Sequence, residues 1–229
     1  MIRVKTSPII GEVFLDFIFP CICSLCHEYG KSVCQDCSKK LVSAEKRCIV
    51  CSRKNPLGKT CLACFKAHEP DSALAAFKYQ ETAQELVKLY KYYDVSSLKY
   101  FFADSLASVI KNIESYKEYD LAYIPLTSRK KCYRGYNQSE LVAQCISKKL
   151  NLRLTDLLTR VDVPHSQVLS ESKKERLANI KGAFSAKSEC PELVILLDDV
   201  ITSGATMREA TKVLKKNGTK KVVCVSIAM

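Results

Sequence analysis

The run Val-Ile-Leu-Leu-Asp-Asp-Val-Ile-Thr-Ser-Gly-Ala-Thr at positions 194–206 constrains the fold of this chain more than any other stretch. Its first four residues are bulky and aliphatic, as in a parallel strand buried on both faces. The chemistry then changes abruptly to Asp198 and Asp199, followed by Thr202, Ser203, Gly204, Ala205 and Thr206. Beyond the run, Met207, Ala210, Val213 and Leu214 recur at helical spacing, and Gly218 suits a helix end. Strand, loop and helix N-terminus in that order form a phosphate cradle: unpaired backbone N–H groups and the positive helix end point at the anion. Thr202, Ser203 and Thr206 add hydroxyl donors, and Gly204 lets the backbone come close.

Carboxylates repel phosphate, so the acidic pair implies a ligand that also carries a diol and a divalent cation. Carboxylates accept from ribose hydroxyls and hold magnesium or its waters. A ribose 5-phosphate with magnesium satisfies both halves. The run is neither a Walker A loop nor a dinucleotide GxGxxG. It closely resembles the PRPP (5-phosphoribosyl 1-pyrophosphate) fingerprint of type I phosphoribosyltransferases, and that resemblance implies PRPP, where spacing alone gives a phosphorylated sugar.

Eight of the 13 cysteines form four CxxC knuckles: Cys23/Cys26, Cys34/Cys37, Cys48/Cys51 and Cys61/Cys64. The intervals between knuckles are 7, 10 and 9 residues, all in the first third of the chain. Each knuckle offers two thiolates to a tetrahedral zinc ion, so eight ligands make two closed structural sites. Sequential pairing of knuckles is expected, with cross-bracing and a single retained zinc as alternatives. A redox CxxC reading fits poorly, because four pairs lie outside any βαβ context. Cys21, Cys132, Cys145, Cys190 and Cys224 read as small apolar residues rather than nucleophiles.

The formal charge of +12 suggests nucleic acid, but it is overstated. Eight thiolates and two zinc ions lower it by four, to about +8. Residues 1–70 hold 11 Lys and Arg against 6 acids, nearly balanced once zinc is counted. No window reaches 18 apolar residues, and residues 1–20 lack the order of a signal peptide, so membrane insertion is not expected and the cytoplasm is.

The expected organisation is an N-terminal helix at 1–20, a zinc-ribbon module at 21–69, and an α/β domain at 70–229. Strands are predicted at 72–79, 119–124, 193–197 and 221–228. Helices are predicted at 82–92, 97–113, 137–150 and 205–217, with Asn137 as N-cap and Glu140 in the capping-box position. That alternation gives a mostly parallel sheet flanked by helices. Two further segments complete the predicted site. The first, 123–138, follows a strand and precedes a helix at the sheet's carboxyl edge, where α/β ligands bind. Its Pro125-Leu126 turn, Arg129, Lys130, Lys131 and Arg134 suit a diphosphate. The second, 160–184, is polar and carries Gln167, Lys173, Lys174, Arg176 and Asn179. A connection this long reads as a lid, with a helix over 170–180 as an alternative.

Together these motifs reach one family. Phe19-Pro20 before the knuckles, Pro-Leu-x2-Arg-x4-Arg-Gly-Tyr-Asn-Gln from 125, Gln-x8-Arg-x2-Asn-x2-Gly-Ala-Phe from 167, and the Asp-Asp fingerprint stand in the order of ComF competence proteins, which the chain resembles over nearly its whole length. The resemblance implies a type I phosphoribosyltransferase-like fold behind a zinc ribbon, and a role in natural transformation with single-stranded DNA and the DNA-translocation machinery as partners. By position it implies Asp198 and Asp199 on the ribose hydroxyls. The loop Val200, Thr202, Ser203, Gly204, Ala205 and Thr206 would hold the 5-phosphate. Pro125, Leu126, Arg129, Lys130 and Arg134 would lie at the pyrophosphate. Asp198, Asp199, Arg129 and Arg134 would then serve the transfer step itself. Ser203 replaces the family's usual Thr and keeps the hydroxyl. Two functions fit: a magnesium-dependent phosphoribosyltransferase, or a DNA-binding protein regulated by PRPP. For the second, Tyr90, Tyr92, Tyr93, Tyr133 and Tyr136 lie among cations as single-strand stacking requires.

Overall fold

The computed structural model describes residues 21–93, 95–161 and 180–229 of the 229. The expected helix at 1–20 lies outside them, as do Gln167, Lys173, Lys174, Arg176, Asn179 and all of the 170–180 helix except Ile180. The chain divides into two compact units, Met1–Lys40 and Leu41–Met229. The boundary therefore falls between the second and third knuckles, whereas the sequence places it after residue 69.

In the first unit a tight turn carries Cys23 and Cys26, closed by a bridge between Ile22 and Tyr29. The short helix α1 (Gln35–Lys39) follows, with Cys34 as its N-cap.

In the second unit the sheet consists of β1 (Ser72–Phe77), β2 (Asp120–Tyr123), β5 (Leu193–Val200) and β6 (Lys221–Ala228). Its order is β1-β6-β5-β2, and every pairing is parallel. Alternate residues of β5 serve opposite faces, as a two-residue period demands. Val194 and Leu196 share a core with Met207, Ala210 and Leu214 of α6 (Ala205–Lys216). Ile195 and Leu197, also fully buried, face the other way. Against the sheet there pack α3 (Leu98–Ile110) and α5 (Gln138–Leu150), with α2 (Glu81–Tyr92) packed on α3.

The predicted 97–113 helix ends three residues early, at Ile110, where Asn112 turns back to the Ser108 carbonyl at 2.9 Å. Two elements were not anticipated. The basic segment is a helix, α4 (Ser128–Arg134), capped by Thr127 and ended by Gly135 in the left-handed region. A two-stranded antiparallel ribbon, β3 (Leu158–Arg160) with β4 (Phe184–Ala186), clamps the base of the polar segment. Three-residue strands give too little alternation to be read from sequence.

The outer edge of β1 is covered by the segment carrying the third and fourth knuckles. Lys78 N donates to Val42 O at 2.8 Å and Ala73 N to Gly58 O at 2.9 Å, with bridges Ser43–Phe77 and Lys59–Ser72. An edge strand left open would expose unpaired backbone groups.

Cutting Leu196 back to Ala in this central strand should cost about 2–5 kcal/mol, since the side chain is fully buried between sheet and helix. Urea unfolding of the second unit's tertiary signal measures it; a shift of the midpoint within error would contradict the packing described.

Candidate functional site

The cysteines assemble as two separate groups, Cys23, Cys26, Cys34 and Cys37, and Cys48, Cys51, Cys61 and Cys64, each with its four sulfurs within 4.8 Å of one another. Sequential pairing is therefore the arrangement found. The Cys26 and Cys34 Sγ atoms are 3.5 Å apart, and those of Cys51 and Cys61 3.7 Å. A tetrahedron with Zn–S of about 2.3 Å has edges of about 3.8 Å, so both donor sets fit structural zinc. Backbone N–H groups point at the sulfurs: Cys34 N at Cys23 Sγ, 3.4 Å, and Cys61 N at Cys48 Sγ, 3.5 Å. Burial opposes ionisation of Cys23 and Cys48, but these backbone donors outweigh it and pull both thiols below their usual range. Zinc, when bound, holds these loops by its four bonds. Of the other cysteines, Cys190 and Cys224 are buried and Cys145 is partly so, whereas Cys21 and Cys132 are exposed. Burial pushes the Cys224 thiol up to about 12, consistent with an inert apolar role.

The acidic pair lies on β5 itself, which runs on through Val200. Ser139 Oγ donates to Asp198 Oδ1 at 3.3 Å, and the Asp199 N–H to the same oxygen at 2.8 Å. Ser139 stands in the first turn of α5, where Asn137 caps through Ser139 N at 3.1 Å and donates to Ile124 O at 3.0 Å. The end of β2 and the start of α5 are thereby fastened beside the carboxylates. Burial, then the charge of Asp199, raises the Asp198 carboxyl well above the usual carboxylate range.

Asp199 faces the other way, into an ion pair with Lys91 Nζ at 2.8 Å; the two side chains are 15% and 18% exposed. Three more cations gather here. The Lys130 ammonium is lowered by desolvation first, then by Arg160, Arg134 and Lys91, while Asp199 acts in the opposite sense. Arg134 Nη1 donates to Gln138 Oε1 at 3.3 Å, and its guanidinium stacks 5.0 Å from the Tyr92 ring. Gln138 is 1% exposed, and its Nε2 has no acceptor among the described residues. Arg129 is exposed on α4, and no contact among the described residues ties it to the carboxylates.

Sequence reasoning missed Lys91 and Arg160. Lys91 reads as an ordinary cation in the last turn of a helix. Arg160 sits at the end of the three-residue β3 and gives no pattern of its own.

Beyond β5, Thr202 is exposed, Ser203 and Thr206 are half-buried, and Gly204 and Ala205 are buried. Gly204 is the N-cap of α6 at φ 72°. A Cβ there would stand 2.7 Å from Ile49 Cγ1 and 3.0 Å from Ile49 O, so the loop accepts only glycine. Ile49 belongs to the Cys48–Cys51 knuckle. The helix behind the loop is tied to the same segment: Arg208 Nε donates to Glu69 at 2.6 Å, and Lys215 pairs with Asp71 at 2.8 Å.

With this geometry in hand, the likeness to known proteins can be weighed. No protein-family model matches the chain. Competence protein F of Haemophilus influenzae is 28% identical over 212 residues, 88% of this chain and 87% of that one. Competence protein ComFC of Streptococcus pneumoniae is 29% identical over 213 residues, 90% of this chain and 87% of that one. The chain resembles the ComF competence proteins throughout. Among solved structures, an adenine phosphoribosyltransferase from Leishmania tarentolae superposes with a TM-score of 0.37 and 15% identity, over 60% of each chain, a likeness too loose to carry weight. Among the described residues no helix is long and apolar enough to cross a membrane.

Two outcomes follow from the geometry. Replacing Cys34 and Cys37 by Ser should remove one of two zinc ions by elemental analysis and leave the second group loaded; unchanged zinc would refute the donor set. Because the Asp198 carboxyl is raised on folding, its contribution to stability is complete below about pH 4 and falls as pH climbs toward the raised value. Asp198→Asn should therefore gain on the wild type in melting temperature between about pH 4 and about pH 7 and hold a constant advantage above that. A pH-independent difference would show that the carboxyl is not raised.

Proposed function

We propose that this chain is a cytoplasmic PRPP-binding protein of natural competence, with magnesium-dependent phosphoribosyl transfer and a role in handling imported single-stranded DNA. The observation that carries the reading is the pairing of two partly buried carboxylates at the end of β5 with the cations Lys91, Lys130, Arg134 and Arg160 around them. Hard carboxylate oxygens suit a divalent ion and a ribose diol, while clustered cations suit a diphosphate. The buried Gln138 Nε2, lacking an acceptor among the described residues, adds a donor beside Arg134. Residues 202–206 at the head of α6 suit the 5-phosphate.

In this reading Asp198 and Asp199 hold the ribose hydroxyls and the magnesium ion. Arg129, Lys130 and Arg134 stabilise the departing pyrophosphate as an acceptor attacks C1. Magnesium, when bound, neutralises charge developing on that leaving group. No nucleophilic side chain is required, because positioning and leaving-group stabilisation lower the barrier.

A second reading, a DNA-binding protein for which PRPP is a regulatory ligand, draws support from the surface. Tyr92, Tyr93, Tyr100 and Tyr133 are 59%, 62%, 61% and 85% exposed. Tyr100 lies with Lys99, Lys148 and Lys149 along a groove of about 420 Å³ between α3 and α5. Exposed rings among cations are what stacking on single strands needs. Tyr90 leaves that set, being fully buried with its hydroxyl donating to Gln138 O at 3.0 Å. Tyr136 is half-buried and donates to Tyr90 O at 3.3 Å.

Pyrophosphate release from PRPP and magnesium, assayed with a panel of bases and single-stranded DNA, separates the two. Release that depends on an acceptor and vanishes in Asp198→Asn/Asp199→Asn supports the transferase. PRPP binding without release supports the regulatory reading.

A further inference from the structure

Lys91 has no assigned role, yet its neighbours hold it firmly in the site. It sits in the last turn of α2, and both chain neighbours are fixed to the 134–138 segment. Tyr90 is fully buried, with its hydroxyl on the Gln138 carbonyl at 3.0 Å, and its own carbonyl accepts from Tyr136 at 3.3 Å. On the other side the Tyr92 ring carries the Arg134 guanidinium at 5.0 Å. These ties leave the Lys91 ammonium little freedom, so its place beside Asp199 at 2.8 Å is set by packing on both sides.

The charge balance around it argues for an anion. One carboxylate, Asp199, faces Lys91, and the same small region holds Lys130, Arg134 and Arg160. Asp198 next to it is already bonded by Ser139 Oγ and the Asp199 N–H. Lysine suits a place where one cation must serve two anions. Its ammonium has three N–H donors on a flexible stem, and the Asp199 contact uses one. We propose that Lys91 contacts substrate directly, bridging Asp199 on the ribose side to the diphosphate held by Lys130 and Arg134. This rests on the PRPP reading and extends it, joining the ribose half of the site to the leaving-group half through one side chain from α2.

A residue that only neutralised Asp199 would affect every ligand of the ribose site alike. A residue that touches the diphosphate discriminates ligands that have one from those that do not. The test is therefore calorimetric binding of PRPP and of ribose 5-phosphate, each with magnesium chloride, to the full zinc-loaded chain and to Lys91→Met and Lys91→Arg. The expected result is roughly a 10- to 100-fold loss for PRPP in Lys91→Met, as for one charge-assisted hydrogen-bonded contact. Ribose 5-phosphate should change by less than about threefold, and Lys91→Arg should recover part of the PRPP loss. Equal losses for both ligands, or none for either, would overturn the bridging role while leaving the PRPP reading intact. If the wild-type chain binds neither compound, the PRPP reading itself falls and this inference with it. Should Lys91→Met lose cooperative melting, Lys91→Gln, one atom shorter and uncharged but still carrying an N–H donor, carries the same comparison.

Discussion

Two adjacent carboxylates at the end of a buried strand are a costly thing to build, and the second unit is arranged around that cost. β5 brings Asp198 and Asp199 to the sheet edge with its aliphatic residues fully buried behind them. Charge in such a place must be paired or hydrogen-bonded, or it is lost to protonation. The two residues are treated differently. Asp198 receives a hydroxyl and a backbone N–H and is raised by burial, whereas Asp199 receives an ammonium. The capped start of α5, the Tyr90–Gln138 bond and the position of α2 all follow from supplying those partners.

The third and fourth knuckles are part of this construction. Their segment covers the open edge of β1 through backbone hydrogen bonds, and Ile49 of the knuckle lies against Gly204. Glu69 and Asp71, immediately after the last knuckle, pair with Arg208 and Lys215 on α6. A structural metal normally holds a small module that lacks a core of its own. Here Ile49 is 6% exposed and shares a hydrophobic core with Met207, Ala210 and Leu214 of α6. The Cys48–Cys51 turn therefore forms a wall of the 202–206 loop through Ile49. Cys23, Cys26, Cys34 and Cys37 belong to the other compact unit.

Much of this was legible in the sequence because its signals are local. Four CxxC pairs are visible at once in the sequence as two groups of metal ligands; sequential pairing was one of the arrangements they allow, and the structure has it. The strand 221–228 is found with the same limits, and the helices from 138, 81 and 205 begin within a residue of expectation. Thr127 and Asn137 act as caps because their side-chain oxygens reach N–H groups within the next turn, a property of the residues themselves. The reading was weaker wherever the decisive partner is remote. The basic segment looks like a loop, and it is helical because Thr127 and Gly135 close it at either end. Tyr90 was grouped with tyrosines suited to stacking bases, whereas packing against Phe102 and bonding to Gln138 place it in the core.

The sequence by itself determined which side chains stand close together: four thiols in each of two groups, and two acids at a strand end just before a hydroxyl-rich loop. Those properties depend on side-chain type and on spacings of a few residues, which backbone geometry converts directly into proximity. Tertiary structure alone decided which charges meet. Lys91 and Asp199 are more than a hundred residues apart, as are Ile49 and Gly204, and Glu69 and Arg208. Contacts of that range depend on the order of strands in the sheet and on which face each helix takes. Hydrophobic periodicity specifies that each face is buried but not against what.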